Sequence, residues 1–425
     1  MTADVHRTIE AVWRIESARL IAGLTRLVRD VGLAEELAQD ALVAALESWP
    51  NSGVPDKPGA WLMATAKNRA FDHLRRHKLV LRKHEELSRE LESAQAAPDP
   101  ETAVEEDFGD DLLRLMFTAC HPVLSTEARV ALTLRLLGGL TTEEIARAFL
   151  VSDSAVAQRI VRAKRTLSEA QVPFEVPCGD ALADRLASVL EVVYLIFNEG
   201  YSATAGEQWM RPALCDEALR LGRVLAELVP HEPEVHGLVA LMEIQASRLR
   251  ARLDASGHPV LLLDQDRTRW DHLLIRRGLA ALARAEQNAL AGGVALGAYT
   301  LQAAIAACHA QALTAGDTDW ARIAALYDAL AEIAPSPIVE LNRAVAVAMA
   351  YGPAAGLEIA DELRSEPSLE SYHLLPSVRG DLLARLGRLK AARAEFERAA
   401  SLTRNAQERS LLLERARAVM GEDEG

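Results

Sequence analysis

At 425 residues the chain is too long for one hydrophobic core, and half its residues are apolar but only 4% aromatic, so it reads as an all-α protein of two or more domains. A formal net charge of −14 excludes a general nucleic-acid coat and leaves room only for local basic sites. No run of 18 apolar residues occurs and the N-terminal stretch has no apolar core, so neither a membrane span nor a secretory leader is expected. Cys120, Cys178, Cys215 and Cys308 lie far apart without a CxxC pair, and they read as buried, reduced thiols of a cytoplasmic protein. The neighbouring Cys120 and His121 do not by themselves make a metal site, and no metal or other cofactor is expected.

Helical spacing begins at once. Residues 5–29 place Ile9, Val12, Trp13, Leu20, Leu24, Leu27 and Val28 mostly three or four apart. A second helix is predicted over 33–48, with Leu33, Leu37, Ala41, Ala44 and Ala45 inward and Glu35, Glu36, Gln39, Asp40 and Glu47 polar. Three prolines and two glycines in WPNSGVPDKPG then predict a loop. A basic helix follows over about 60–77.

Charge is segregated along this part of the chain. Residues 1–60 carry six Lys/Arg and nine Asp/Glu, whereas residues 61–84 carry seven and one. Residues 85–111 reverse that with one and eleven, and residues 112–172 return to eight and five. Two basic segments are therefore separated by an acidic, Ala/Pro-containing stretch, 81–106, that reads as a flexible linker. Two small modules on a tether can grip two places on one duplex.

In 112–172, Ser125 marks a helix start and Gly138-Gly139 a helix end. Residues 141–167, TTEEIARAFLVSDSAVAQRIVRAKRTL, then read as two short helices and a tight turn. Thr141 and Glu144 have capping-box spacing, and Ser152 or Asp153 can cap the second helix. Ile145, Ala146 and Phe149 are the inner face of the first helix; Val156, Ile160, Val161 and Leu167 are that of the second. Ser154, Gln158, Arg159, Arg162, Lys164 and Arg165 stay outward or partly outward. This is either a DNA-binding helix-turn-helix or an ordinary hairpin with solvated arginines, and Leu150 stands where such turns favour glycine.

The order of the segments resolves the ambiguity. An acidic helix (LAEELAQDALVAALESW), a Pro/Gly loop, a Trp-led basic helix (WLMATAKNRAFDHLRRHK), an acidic linker and the helix-turn-helix follow one another. Over about 5–172 this resembles the bacterial extracytoplasmic-function (ECF) sigma factors of the sigma-70 family, most specifically in AWLMATAKNRAFDHLRR and IAxxFxVSxxAVxxRxxRAK. The resemblance implies sigma region 2 at 1–80 and region 4 at 107–172. It implies core RNA polymerase and promoter DNA as partners, with no enzymatic activity. Region 2 would dock on the β′ coiled coil through Glu35, Glu36, Gln39, Asp40 and Leu42, and region 4 on the β flap. The −10 element would fall to Lys57, Trp61, Asn68, Arg69, Arg75 and Arg76, the loop at 49–60 taking a flipped base. In this resemblance Trp61 is either core or stacking platform. Gln158 and Arg162 would read the −35 element, helped by Ser154, with Arg159, Lys164 and Arg165 on phosphates.

Residues 173–425 exceed the ordinary length of that family. Residues 182–197 predict an apolar helix, and NEGYSATAGE (198–207) a polar loop whose Asn198, Glu199, Tyr201 and Ser202, near Arg211, suit capping and hydrogen bonding between domains better than catalysis. The segments 341–363 and 374–402 repeat, with Gly352 and Gly387 at 35-residue spacing between helices, and 319–351 offers another helix pair. The second repeat resembles a tetratricopeptide repeat, so 173–425 is expected to be a TPR-like array with a concave binding surface. The phrases LIFNEGYSAT, SPIVELNRAVAVAM and YHLLPSVRGDLL resemble a sigma-factor subgroup with such an extension. That resemblance implies that the extension regulates or supports activity through a protein partner or an intramolecular contact. Asn342-Arg343 and Tyr372-His373 are polar pairs of the same structural kind. Two other classes fit part of the pattern: a one-component helix-turn-helix regulator with a sensing domain, and a TPR scaffold. The 33–77 signature opposes the first and the basic helix at 61–84 the second.

Overall fold

The computed structural model describes residues 2–88 and 108–421, and among these are eighteen α-helices, short turns and 3₁₀ segments, with no strand. The chain divides into two compact units, residues 1–192 and 193–425.

In the first unit, α1 (Thr2–Val28), α2 (Val31–Ser52) and α3 (Pro58–Ser88) pack on one another. Their core includes Ile9, Leu20, Ile21, Leu24, Leu37, Trp49 and Leu62, with Ala34, Ala38, Ala41, Ala45, Ala66 and Ala70 between them. The alanines let the helices approach closely, and Asp30 caps α2 by accepting the Leu33 N–H at 2.8 Å.

Two boundaries differ from the sequence expectation. α2 does not stop before the prolines but carries Pro50 inside its final turn. Proline removes one helical hydrogen bond there. Side chains of that turn bond back to it: Ser48 Oγ donates to the Ala44 carbonyl at 2.8 Å and Ser52 Oγ to that of Ser48 at 2.9 Å. Trp49, 1% exposed, anchors the turn in the core. The loop shrinks to residues 53–57, and α3 starts on Pro58, a residue preorganised for a first helical position. α3 also runs past residue 77 to Ser88, because KLVLRKHEEL is composed of good helix formers. The linker expected over 81–106 is therefore helical to residue 88, and its remainder falls outside the described residues.

α4 (Phe108–Ala119) packs on α1, and α5 (Thr126–Leu136), α6 (Thr142–Phe149) and α7 (Asp153–Glu169) form the next cluster. The cap at Ser125 and the end at Gly138-Gly139 are where the sequence puts them, Gly139 having φ 66°. The inner face of α7 is Val156, Ile160, Ala163 and Leu167; Val161 is 64% exposed, so Ala163 replaces it in the expected stripe. α8 (Asp180–Tyr201) begins in this unit, where Ser188 Oγ donates to the Cys120 carbonyl at 2.6 Å. Cys120, Cys215 and Cys308 are buried thiols, but Cys178 is exposed.

The second unit runs through α9 (Pro212–Leu228), α10 (Pro233–Ala246), α11 (His272–Gly292), α12 (Ala298–Gln311) and α13 (Trp320–Ile333). α14 (Pro337–Tyr351), α15 (Pro353–Glu362), α16 (Leu374–Arg385), α17 (Leu389–Leu402) and α18 (Ala406–Gly421) complete it, each packed on its chain neighbour. α10 is buried on nearly all sides, with α11 and α12 against it. The repeats are the hairpins α14/α15 and α16/α17, turning at Gly352 (φ 108°) and Gly387 (φ 71°), and α13 packs on α14. A side chain at Gly380 would meet the Phe396 ring at 2.9 Å, so that glycine sets the close approach of α16 and α17.

NEGYSATAGE is only partly a loop. Its first four residues are the last turn of α8, which places Glu199 in the interior, 8% exposed. Glu199 pairs with Arg211 and accepts from Thr204 Oγ1 at 2.9 Å, and Arg211 also donates to the Ala205 carbonyl at 3.0 Å. The set closes the turn on itself, a structural use.

Candidate promoter and polymerase-binding surfaces

The α2 residues expected to dock polymerase divide. Glu36 and Asp40 are exposed, and Gln39 and Leu42 are half-buried. Glu35 is only 3% exposed, a correction to its expected place on a solvent-facing surface. Arg135 of α5 donates to Glu35 Oε1 at 2.6 Å through Nε, Gln39 donates to the same oxygen at 2.6 Å, and Lys164 of α7 pairs with the other oxygen. Burial by itself would raise the Glu35 pKa, but the charges of Lys164 and Arg135 and their hydrogen bonds hold the carboxyl below its ordinary value. A carboxylate buried here is tolerable only because both oxygens meet cations. Arg135 escaped the sequence reading, since nothing within α5 signals a partner 100 residues away.

Along α3, Asn68, Arg75 and Arg76 are exposed and Arg69 half-buried. Asn68 stands between the buried Ala66 and Ala70 without a packing role of its own. Arg69 forms an ion pair with Asp40 at 3.2 Å, joining a residue of the −10 set to one of the docking set. Trp61 meets Trp49 edge-to-face at 5.4 Å and is half-buried, so one side serves the core while the other is accessible. Lys57 borders a groove of about 630 Å³ between α1 and α3, with Arg19, Met63 and Lys67 on its walls.

The helix-turn-helix is capped as its sequence spells out. Thr141 Oγ1 accepts the Glu144 N–H at 3.1 Å and Glu144 accepts the Thr141 N–H at 2.8 Å; Ser152 accepts from Ala155 at 3.2 Å. The turn passes through Leu150 in the left-handed region, φ 52° and ψ 42°. Ser154, Gln158 and Arg162 are exposed at four-residue spacing, a single row opposite the buried face of α7. Gln158, Arg159 and Arg162 border a groove of about 520 Å³ against Ser125 and Glu127 at the start of α5. Arg165 pairs with Glu169, both exposed, a contact that costs little to break, whereas Lys164 is turned toward Glu35.

These surfaces match known families. Residues 15–80 match Sigma-70 region 2, and residues 114–167 match Sigma-70, region 4. The chain belongs to the sigma-70 family. It is an RNA polymerase sigma factor of the ECF type, extended by a helical region whose residues 185–286 match a family of unknown function, DUF6596. Uncharacterized protein R00370 of Rhizobium meliloti is 44% identical over 392 residues, 91% of this chain and 90% of that protein. The ECF RNA polymerase sigma factor SigK of Mycobacterium bovis is 30% identical over 157 residues, 35% of this chain and 78% of SigK. The probable ECF RNA polymerase sigma factor SigI of Mycobacterium tuberculosis is 25% identical over 169 residues, 39% of this chain and 57% of SigI. No solved structure matches.

Proposed function

We propose that this sigma factor reads promoters through two separate faces, α3 with the 53–57 loop at the −10 element and the exposed row of α7 at the −35 element. The observation that carries the reading is that row: Ser154, Gln158 and Arg162 are exposed together, starting at the N-terminal turn of a helix whose other face is core. Such a helix end fits the major groove, where Gln158 and Arg162 are long enough to reach base edges. Arg159 and Arg165 supply phosphate contacts, and Lys164 joins them when released from Glu35. On α3, Lys57, Asn68, Arg69, Arg75 and Arg76 follow the displaced strand, and Trp61 offers its open side to an unstacked base. Glu36, Gln39, Asp40 and Leu42 form the core-polymerase face on α2, their carboxylates set for the basic β′ coiled coil; region 4 meets the β flap. The protein acts in the cytoplasm as an initiation factor without catalysis of its own, and residues 173–425 regulate or support that activity.

In vitro transcription with core polymerase tests this reading. The full chain is expected to support promoter-dependent initiation, and Gln158→Ala to relax one −35 position by ~1–3 kcal/mol. Reversing Glu36 and Asp40 to lysine should weaken core binding with the fold retained. A chain that binds core yet never initiates at any promoter would defeat the proposal.

A further inference from the structure

The second unit contains two buried arginines with no carboxylate beside them among the described residues. α10 ends at Ala246, and the chain turns through a short 3₁₀ segment, Leu249–Ala251, flanked by Arg248 and Arg252. Arg248 is 5% exposed and Arg252 9%. Among the described residues no carboxylate lies within ion-pair distance of either guanidinium, whereas the half-buried Arg211 has Glu199. Both arginines border a cavity of about 400 Å³.

The surroundings hold these cations without neutralising them. The Arg252 guanidinium lies 3.9 Å from the Tyr201 ring centroid and 4.4 Å from that of Trp209, and its Nε faces Met210 Sδ at 3.2 Å. Arg248 lies 5.8 Å from the Trp270 ring and hydrogen-bonds Gln245. Aromatic faces and neutral amides offset part of the desolvation of a cation but supply no counter-charge. Around the same cavity, Arg248 Nε, Gln265 Oε1 and His309 Nδ1 are buried without a hydrogen-bond partner among the described residues. Burial depresses the Arg248 pKa, helped by the charge of Arg252 and opposed by the Tyr201 hydroxyl that hydrogen-bonds it, and burial followed by the charges of Arg248 and Arg267 depresses that of His309.

We propose that this cavity is a binding site for a small organic anion, whose carboxylate or phosphate group is held by Arg248 and Arg252. Stacking on ring faces leaves the in-plane N–H donors of a guanidinium for an acceptor, and that planar fork matches an oxyanion. Leu241, Ile305 and Tyr327 line the cavity as well, so it receives an apolar body behind the charged head. Its volume is that of a metabolite site rather than of a single ion. The reading also gives a use to two sequence phrases that promoter recognition leaves unexplained. Tyr201 of LIFNEGYSAT and Asn342 of SPIVELNRAVAVAM both line this cavity.

The test uses the full chain with benzoate, phenyl phosphate and inorganic phosphate, against chloride at equal ionic strength. Thermal unfolding and tryptophan fluorescence are followed together, since Trp209 and Trp270 adjoin the arginines. Benzoate or phenyl phosphate is expected to give a saturable shift that chloride does not, and the stronger of the two identifies the head group. Arg252→Lys keeps the charge but removes the fork, and should weaken that binding at least tenfold. If this variant does not fold, the wild-type titration decides alone. A shift equal to that in chloride, unchanged binding by a folded Arg252→Lys, or saturation by inorganic phosphate only would each overturn the proposal.

Discussion

Each unit buries a cluster of charged side chains, and the two clusters are balanced in opposite ways. In the first, the single carboxylate Glu35 meets Arg135 and Lys164, so the charges close on one another. In the second, Arg248 and Arg252 share a cavity that no carboxylate among the described residues lines, so their charge is left open there. The difference separates two uses of buried charge. A closed set acts as a structural tie, here joining α2 to α5 and α7, and an open set acts as a receptor.

The largest effect should come from breaking the closed set. Glu35→Gln strands two cations, and removing one member of a buried ion pair commonly costs ~3–5 kcal/mol. The Arg135 and Lys164 side chains retain 23% and 21% exposure, so solvent recovers part of that. A loss of about 2 kcal/mol in urea unfolding is expected from the discounted range. The pH dependence carries a second signature. The folded-state pKa of Glu35 lies below the ordinary 4.5, so its stabilisation is complete above that pH and disappears as pH falls through the folded value. Wild type and Glu35→Gln should therefore converge in acid, and a constant gap down to the lowest folded pH would refute the tie.

The open set gives a comparable, differently placed transition. His309 is held neutral, its pKa lowered to about 4 by burial and then by Arg248 and Arg267, and its ring packs edge-to-face on Trp320 at 5.0 Å. An imidazole depressed in the folded state stabilises fully above its ordinary pKa of 6.5, and that contribution is lost as pH falls from 6.5 toward about 4. A decline of roughly 2 kcal/mol in unfolding stability across that window is expected, from 1.4 kcal/mol per pKa unit less an allowance for partial exposure. His309→Gln should flatten the decline. An unaltered pH profile in that variant would remove His309 from the cluster.

The sequence reveals these features unevenly, for physical reasons. Capping at Thr141 and Ser152, the end of α5 and the hinge glycines 352 and 387 are local, so spacing alone exposes them. Glu35 misled the reading because its partners come from helices 100 or more residues later, while its own helix looks like any acidic amphipathic one. Pro50 misled it because the fold anchors the last turn of α2 through Trp49, a tertiary override of a local breaker. Val161 and Ala163 changed places because two apolar residues two apart cannot both lie on a narrow helical stripe. Arg248 and Arg252, in ASRLRARLD, look like a solvated basic helix end, and only the packing of later helices encloses them.

The smallest effect tests whether the closed set is independent of the turn beside it. α6 ends on Leu150 in the left-handed region, where a side chain costs ~1–2 kcal/mol, whereas α11 of the second unit ends on Gly293 at φ 63°. Leu150 is 54% exposed, so Leu150→Gly forfeits little packing. Glycine's larger unfolded-state entropy offsets roughly 0.5–1 kcal/mol of the relief, leaving a net gain of about 0.5 kcal/mol. Because Leu150 touches none of the Glu35 partners through a hydrogen bond or ion pair, the effects of Leu150→Gly and Glu35→Gln should add within about 0.5 kcal/mol. Coupling well beyond that would mean that the pairing of Lys164 with Glu35 itself holds α7 against the strained turn, making tie and turn a single device.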